Sequence, residues 1–559
     1  LKVASDELVF AALGGVGEIG MNLALYGYGR GNARRWLAVD MGVAFGHEEV
    51  LPGVDAVLPD IKFLAKRRAQ LDGILITHGH EDHYGALMDF WPRVQAPVFM
   101  TAFAAALFEA KRAGEQNAPR IPIEVVRPRQ PFRAGPFEVE YVSVSHSIPE
   151  SNAVAIRTPL GTVLHTGDWK LDQLPGIGPS TDSDRFASLG EEGVLAVISD
   201  STNAIRDGVS PSEGEVAKVL ERCIAEAPHR VAVTTFASNV ARIHAVASAA
   251  HRAGRDVVVV GRAMQRTVDV ARELGYLEGL PEFLDRETYA SLPRNKVVAL
   301  MTGSQGEPRA TLARIAARDP RAMPLAPGDR VIFSSRTIPG NERAVNSIIN
   351  ALVDMGAEVV TDRDALVHTS GHPRRDELRQ LYDWTKPAIV IPVHGEALHL
   401  HEQAKLARLA GVGQVLEVRN GQLIRLAPGR AERIDSIESG KLYRDGKLVA
   451  APEASGVIDR RRLSFGGVVS VSIVLSDNGD VLEDPTVALL GVPEVDADGG
   501  TFREIAQDAV DDALDALPRA RRRDADAVRE SVRRAVRGEI EAAWGKKPQT
   551  IVHVTHVSD

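Results

Sequence analysis

The chain has 559 residues, 44% of them hydrophobic and 25% charged, with a formal net charge of −9. That length exceeds what one hydrophobic core serves and predicts about three domains of an ordinary globular enzyme. A single cysteine, Cys223, excludes an intrachain disulfide and a thiolate zinc site, and the acidic balance argues against indiscriminate nucleic-acid binding. No apolar run is long enough to span a membrane, and no basic segment followed by an apolar one opens the chain, so a cytoplasmic protein is expected.

In chain order, residues 8–13, 22–26, 36–39, 73–76 and 97–100 read as short strands, and 63–70, 83–90 and 102–113 as helices. Strands at 137–144, 152–157, 162–165 and 194–199 follow. So few helices among so many strands predict packed sheets flanked by helices rather than a doubly wound sheet. Gly15-Val16-Gly17-Glu18-Ile19-Gly20 matches the dinucleotide-binding pattern, with Asp40 downstream. Met21, Leu23 and Leu25 alternate with Asn22, Ala24 and Tyr26, however, and Gly27, Gly29 and Gly31 preclude the helix such a loop must open. The expectation is a hairpin whose glycines let backbone approach a site.

From about residue 208 strands and helices alternate. Strands at 230–235, 256–261, 296–302, 330–335 and 358–361, with a helix at 240–253, predict a parallel α/β unit. A buried-type strand at 388–393 ends in His394. Beyond residue 450 a strand at 468–475, a turn at Asn478-Gly479, helices at 502–517 and 524–544 and a strand at 551–557 predict a small α+β domain.

The chemistry concentrates in T-H-G-H-E-D-H, Thr77 to His83, directly after an apolar strand. Three imidazoles and two carboxylates so close together call for a cation. The spacing lets His78 and His80 close on one metal while Asp82 and His83 point toward a neighbouring one, and such ligands suit zinc or manganese. Asp40, His146, Asp168 and His394 each stand just past another apolar strand, and their joint placement directs them to the same site.

Through H-x-H-x-D-H, the later His146 and Asp168 and the final His394, the chain resembles the metallo-β-lactamase fold. S-D-S-T-N (Ser199 to Asn203), H-T-S-G-H (His368 to His372) and P-V-H-G-E (Pro392 to Glu396) are similar to the β-CASP nucleases. G-G-V-G-E-I-G-M-N and the appended C-terminal domain narrow the resemblance to the ribonuclease J family, over essentially the whole chain. It implies an α/β fold class: a metallo-β-lactamase αββα sandwich in two parts (1–207 and 364–445), an inserted parallel α/β β-CASP domain (208–363) and a C-terminal α+β oligomerisation domain (456–559). It also implies that His78, His80 and His146 hold one divalent ion, that Asp82, His83 and His394 hold a second, and that Asp168 bridges both. Asp40 then orients a ligand histidine. Zinc is the expected ion, with manganese or magnesium as alternatives for activity.

The implied reaction degrades RNA 5′-to-3′ from a 5′-monophosphate end, with endonuclease activity beside it, in RNA maturation and decay. A hydroxide activated by two metals attacks, leaving 5′-phosphate and 3′-hydroxyl ends. Asp82 counts among the catalytic residues as well as the ligands; His368 is the candidate proton donor, and Asp200 steers it or the attacking water. Ser370, Gly371 and His372, with Ser238 or Asn239 opposite, are candidates for the terminal-phosphate pocket, and Arg262, Ser335 and Arg336 for the RNA path. Arg374 and Arg375 read as capping or solvent-facing residues, and His399, His401, His553 and His556 receive no metal. Expected partners are single-stranded RNA, further copies of the chain in a homodimer or homotetramer, and RNA-decay proteins, with no membrane. A small-molecule hydrolase on the same fold would need no inserted domain. A binding protein without turnover is opposed by the presence of every ligand. DNA as substrate stays open, because 2′-hydroxyl contacts are not legible in sequence.

Overall fold

The computed structural model describes residues 5–46, 50–338 and 340–558. They fold into two compact units. One runs to Phe45 and resumes from Ala56 to Leu442; the other joins the described residues of Gly46–Asp55 to those from Tyr443 onward.

In the first unit two sheets share one core. The eight-stranded sheet has the order Glu432–Ser436, Gln422–Ala427, Glu7–Gly14, Leu23–Gly29, Arg35–Val39, Leu71–Leu75, Val98–Met100, Ile123–Val125. The seven-stranded sheet has the order Gln414–Val415, Ile389–Val393, Val194–Asp200, Gly161–His165, Asn152–Thr158, Phe137–Ser143, Phe132–Ala134. Strand alternation builds the layers. Val154 and Ile156 enter the core between the sheets with Phe10, Tyr26 and Ile391, while Ala153 and Ala155 face outward onto Phe186, Leu378 and Leu406. Those last three come from helices Ser183–Glu192, Arg375–Thr385 and Ala397–Leu409. Each buried valine, leucine, isoleucine or phenylalanine among them contributes about 1.5–3 kcal/mol of transfer free energy. The result is the αββα sandwich the resemblance implied.

The glycine loop opens no helix. Glu7–Gly14 pairs antiparallel with Leu23–Gly29, and Gly15, Gly17 and Gly20 between them take positive φ. The Gly17 N–H donates to the Gly395 carbonyl at 3.0 Å, and the Gly15 carbonyl accepts from the His394 N–H at 2.6 Å. A Cβ on Gly15 would lie 2.4 Å from Asn22 Oδ1, so this close approach requires glycine. The helix expected at 83–90 is instead two pieces, Glu81–Tyr84 and Leu87–Val94. Met41 N–H donates to the His83 carbonyl and Ala86 N–H to the Met41 carbonyl, which ties this backbone to a neighbouring strand end instead of a helical ladder.

A five-stranded, wholly parallel sheet lies between the two parts of the sandwich in sequence. Its order is Asp256–Val260, Val297–Met301, Val231–Thr234, Arg330–Phe333, Glu358–Val360. Helices Glu213–Ala225, Val240–Arg252 and Arg262–Glu273 pack on one face, and Thr311–Ala316 and Glu342–Asp354 on the other.

In the second unit Val468–Ser476 pairs antiparallel with Val481–Leu490 and parallel with Gln549–Val557. Helices Phe502–Ala516 and Ala525–Trp544 cover one face through Val510, Val528, Val532, Val536 and Ile540. Helix Val457–Gly466 and the full length of the 481–490 strand carry no clear sequence signal. Among the described residues no helix is long and apolar enough to cross a membrane.

Candidate metal centre

Six strand ends deliver one polar cluster. Asp40 follows Arg35–Val39, residues 78–83 follow Leu71–Leu75, and His146 follows Phe137–Ser143. Asp168 follows Gly161–His165, Asp200 closes Val194–Asp200, and His394 follows Ile389–Val393. Asp40 and His394 hold left-handed backbone, φ 65° and 52°. For a non-glycine residue that costs about 1–3 kcal/mol and persists where the surroundings enforce it.

The outward ring nitrogens of His78, His83, His146 and His394 have fixed partners. His83 Nδ1–H donates to Asp40 Oδ2 at 2.7 Å, and His146 Nδ1–H to the Gly371 carbonyl at 2.6 Å. The Thr77 hydroxyl donates to Asp40 and accepts from His78 Nδ1 at 2.9 Å. His394 Nδ1–H meets Thr202 Oγ1 at 2.7 Å, and Asn22 Nδ2 donates to the Asp82 carbonyl at 3.1 Å. These bonds set the tautomers so that lone pairs face inward.

Inside, donors face donors. His80 Nδ1 lies 3.0 Å from His78 Nε2 and 3.1 Å from His146 Nε2. The edge of a tetrahedron around a cation with bonds of about 2.0–2.1 Å to nitrogen is about 3.3 Å. Three donor groups arise: His78, His80, His146 and Asp168; Asp82, His83, Asp168 and His394; and Asp168, Asp200, His372 and His394. Within each, the ligand atoms lie within 4.8 Å of one another, and Asp168 belongs to all three. Asp168 Oδ1 is buried without a hydrogen-bond partner. An orphaned carboxylate oxygen amid converging lone pairs fits divalent cations.

Charge divides the cluster. Burial and neighbouring imidazoles hold His78 and His146 well below the ordinary histidine range, and burial brings His80 to about 4, so all three are neutral donors at neutral pH. Burial opposes charge on His83 and His394 too, yet Asp168 with Asp40 and Asp82 outweighs it at His83. Asp168 with Asp200 and Asp82 lifts His394 to about 10. The second set therefore demands positive charge, which a cation supplies in place of protons.

The H-T-S-G-H segment departs from expectation. His372, not His368, joins the cluster: its Nδ1 lies 2.7 Å from Asp200 Oδ2 and 3.8 Å from Asp168 Oδ2. His368 is half-buried and hydrogen-bonds the Ser334 backbone. Burial and the cations Arg242, Lys170 and Arg336 hold its pKa well down, so its ring is the neutral form. Asp200 thus contacts His372 and, at 3.5 Å, His394 Nδ1. The Gly371 carbonyl is taken by His146, and Ser370 Oγ accepts from Asn203 Nδ2 at 2.9 Å. Asn239 is buried, and its Oδ1 caps helix Val240–Arg252 by accepting from Arg242 N–H at 2.9 Å. Ser335 is buried at a strand end, Ser238 and Arg336 are half-buried, and Arg262 is exposed. Arg374 is the residue before helix Arg375–Thr385, and Arg375 pairs with Glu402 and Asp207. His399 sits in a capping box and His401 pairs with Glu417. Thr202, Asn22 and Asn203 were given no role from sequence, although all three fall inside the motifs that carried the resemblance.

Compared with known families, residues 39–189 match the metallo-beta-lactamase superfamily and 228–352 the ribonuclease J beta-CASP domain. Residues 356–416 match the Zn-dependent metallo-hydrolase RNA specificity domain and 456–557 the ribonuclease J C-terminal domain. The chain is 53% identical to a ribonuclease J of Sinorhizobium meliloti over 552 residues, covering 99% of this chain and 98% of that one. It is 38% identical to a ribonuclease J of Mycobacterium tuberculosis (99% and 98% covered) and 35% identical to one of Thermus thermophilus (98% and 95% covered). A solved structure of a protein of unknown function from Enterococcus faecalis covers 75% of this chain and 100% of its own, with a TM-score of 0.51 at 14% identity, a likeness of fold alone.

Proposed function

Because the chain belongs to the ribonuclease J family and is a metal-dependent ribonuclease, we propose that it degrades single-stranded RNA 5′-to-3′ from a 5′-monophosphate end, with endonucleolytic cuts beside that activity. Hydrolysis leaves 5′-phosphate and 3′-hydroxyl ends. The observation that carries this reading is the sharing of Asp168 between a histidine-only set and a carboxylate-rich set of donors. His78, His80 and His146 would hold one divalent ion and Asp82, His83 and His394 a second, with Asp168 within reach of both sets. Zinc is the resident ion proposed, with manganese or magnesium able to support turnover. Bound there, two divalent cations supply charge neutralisation at the scissile phosphodiester and lower the pKa of an attacking water.

The chain's own residues do the rest. Asp40, Thr77, Thr202 and the Gly371 carbonyl fix the ligand rings, so that little reorganisation remains at the moment of reaction. His372, its Nδ1–H held by Asp200, delivers a proton from Nε2 to the departing 3′-oxygen. Ser238, Arg262 and Arg336, whose side chains make no hydrogen bond to other described residues, are proposed to line the RNA path. The domains are proposed as a sandwich at 1–207 and 364–445, an insertion at 208–363 and an assembly domain at 456–559. Self-association to a dimer or tetramer through that last domain is supported by Leu482, Leu490, Ile551 and Val557, which are exposed. RNA-decay proteins are further partners in this reading, and the cytoplasm is its place of work.

One RNA labelled at either end and carrying a 5′-monophosphate, 5′-triphosphate or 5′-hydroxyl tests the reading, with His80→Ala as control. Mononucleotide released from the 5′ end, fastest with the monophosphate and absent in the variant, is the expected result. Internal cuts indifferent to the 5′ group would replace it with an endonuclease, and cleavage surviving in His80→Ala would remove the metal assignment.

A further inference from the structure

The five-stranded sheet has a topological switch point that the metal chemistry does not use. Val231–Thr234 and Arg330–Phe333 are neighbours, yet the helix after the first packs on one face and the helix before the second on the other. Open α/β sheets bind ligands at the carboxyl ends of strands where connections diverge in this way. Here the position is filled from within by Arg242, which is fully buried. Its Nη1 donates to the Ser334 and Val367 carbonyls, each at 3.0 Å, and to Ser334 Oγ. Its Nη2 reaches the two Glu213 oxygens at 2.8 and 3.1 Å. Ser334 Oγ donates to the same Val367 carbonyl at 2.7 Å.

Val367 opens the segment whose far end bears Gly371 and His372. We infer that Arg242 is a positioning residue for phosphodiester hydrolysis: by anchoring the Val367 carbonyl to Ser334 it sets the 367–372 segment so that Gly371 and His372 meet His146 and Asp200. The inference deepens the reading of His372 given above and rests on it. The planar guanidinium suits the task, because one amino group serves the segment while the other meets Glu213 and so keeps the buried charge paired; a lysine ammonium is a single point without this fork. The far end has no slack. Even a Cβ on Gly371 would stand 2.4 Å from His146 Nδ1, so displacement at the base passes through a close-packed segment to that ring.

The test compares full-length Arg242→Lys and the milder Ser334→Ala with wild type. Three quantities are read on folded, metal-loaded protein: single-turnover cleavage of a short 5′-monophosphate RNA, affinity for that RNA, and the visible spectrum of the cobalt(II)-loaded protein without RNA. Arg242→Lys is expected to slow cleavage about 10–100-fold, the range for partners behind a ligand, with RNA affinity unchanged and the cobalt bands altered. Ser334→Ala should do the same to a smaller degree. Wild-type rate and spectrum in folded Arg242→Lys, whatever its melting temperature, would overturn the inference, as would a loss confined to RNA affinity. If Arg242→Lys does not fold, unchanged rate and bands in Ser334→Ala would overturn it. Failure of the wild type to cleave RNA would remove the functional reading instead, and the cobalt spectra would still decide the role of Arg242.

Discussion

Two buried polar clusters of the first unit treat charge in opposite ways. In the inserted domain the buried charge meets a protein counter-charge: Arg242 meets Glu213. At the sandwich edge Asp40, Asp82, Asp168 and Asp200 converge on six histidines, and among the described residues no lysine or arginine pairs with any of the four carboxylates. Matched buried pairs hold shape, because removing one partner strands the other. An unmatched cluster with fixed lone pairs is built for charge from outside. Buried charge therefore yields a strut in one place and a reactive centre in the other.

The largest effect expected from this contrast follows removal of cations. Chelation should abolish RNA cleavage and lower the wild-type melting temperature, and added zinc or manganese should restore both. Asp168→Asn should lack activity from the outset and show a melting temperature insensitive to the chelator. A chelator-independent melt in the wild type would break the comparison. Next in size, His372→Ala should lower the single-turnover rate by about 10²–10⁴-fold, the usual contribution of a positioned acid. His368→Ala should lose less, and the reverse order would return the proton to His368. Asp40→Ala should weaken metal binding about 10–100-fold in competition with a chromogenic chelator; an unchanged affinity would mean His83 needs no fixing. The smallest effect belongs to Asn239. Its loss should cost about 1 kcal/mol in urea unfolding, as for other helix caps, and should leave the 5′-monophosphate preference intact. A lost preference would return Asn239 to the phosphate pocket.

The centre was legible where a local pattern carried it. An apolar run followed at once by His or Asp marks a strand end, and that signature singled out Asp40, His78, His146, Asp168 and His394 for one locus. The parallel sheet and the C-terminal α+β piece were likewise legible from strand and helix periodicity. What local patterns cannot carry is a choice made by distant contacts. In H-T-S-G-H two histidines compete, and the outcome depends on Val367 being held by Arg242, 125 residues away in sequence. The helix expected at 83–90 failed for the same reason, since Met41 takes up its backbone groups. Asn239 carries two signals at once: a polar residue after a strand resembles a ligand donor, and one directly before a helix is also a cap.

Counting metal per chain tests the central claim most directly. After dialysis against free metal, elemental analysis of wild type, His80→Ala, His394→Ala and Asp168→Asn should give two ions, at most one in each histidine variant, and fewer still in Asp168→Asn. A wild type that retains a single ion or none, or an Asp168→Asn variant that keeps two, would contradict the account of an unmatched cluster shared between two cations.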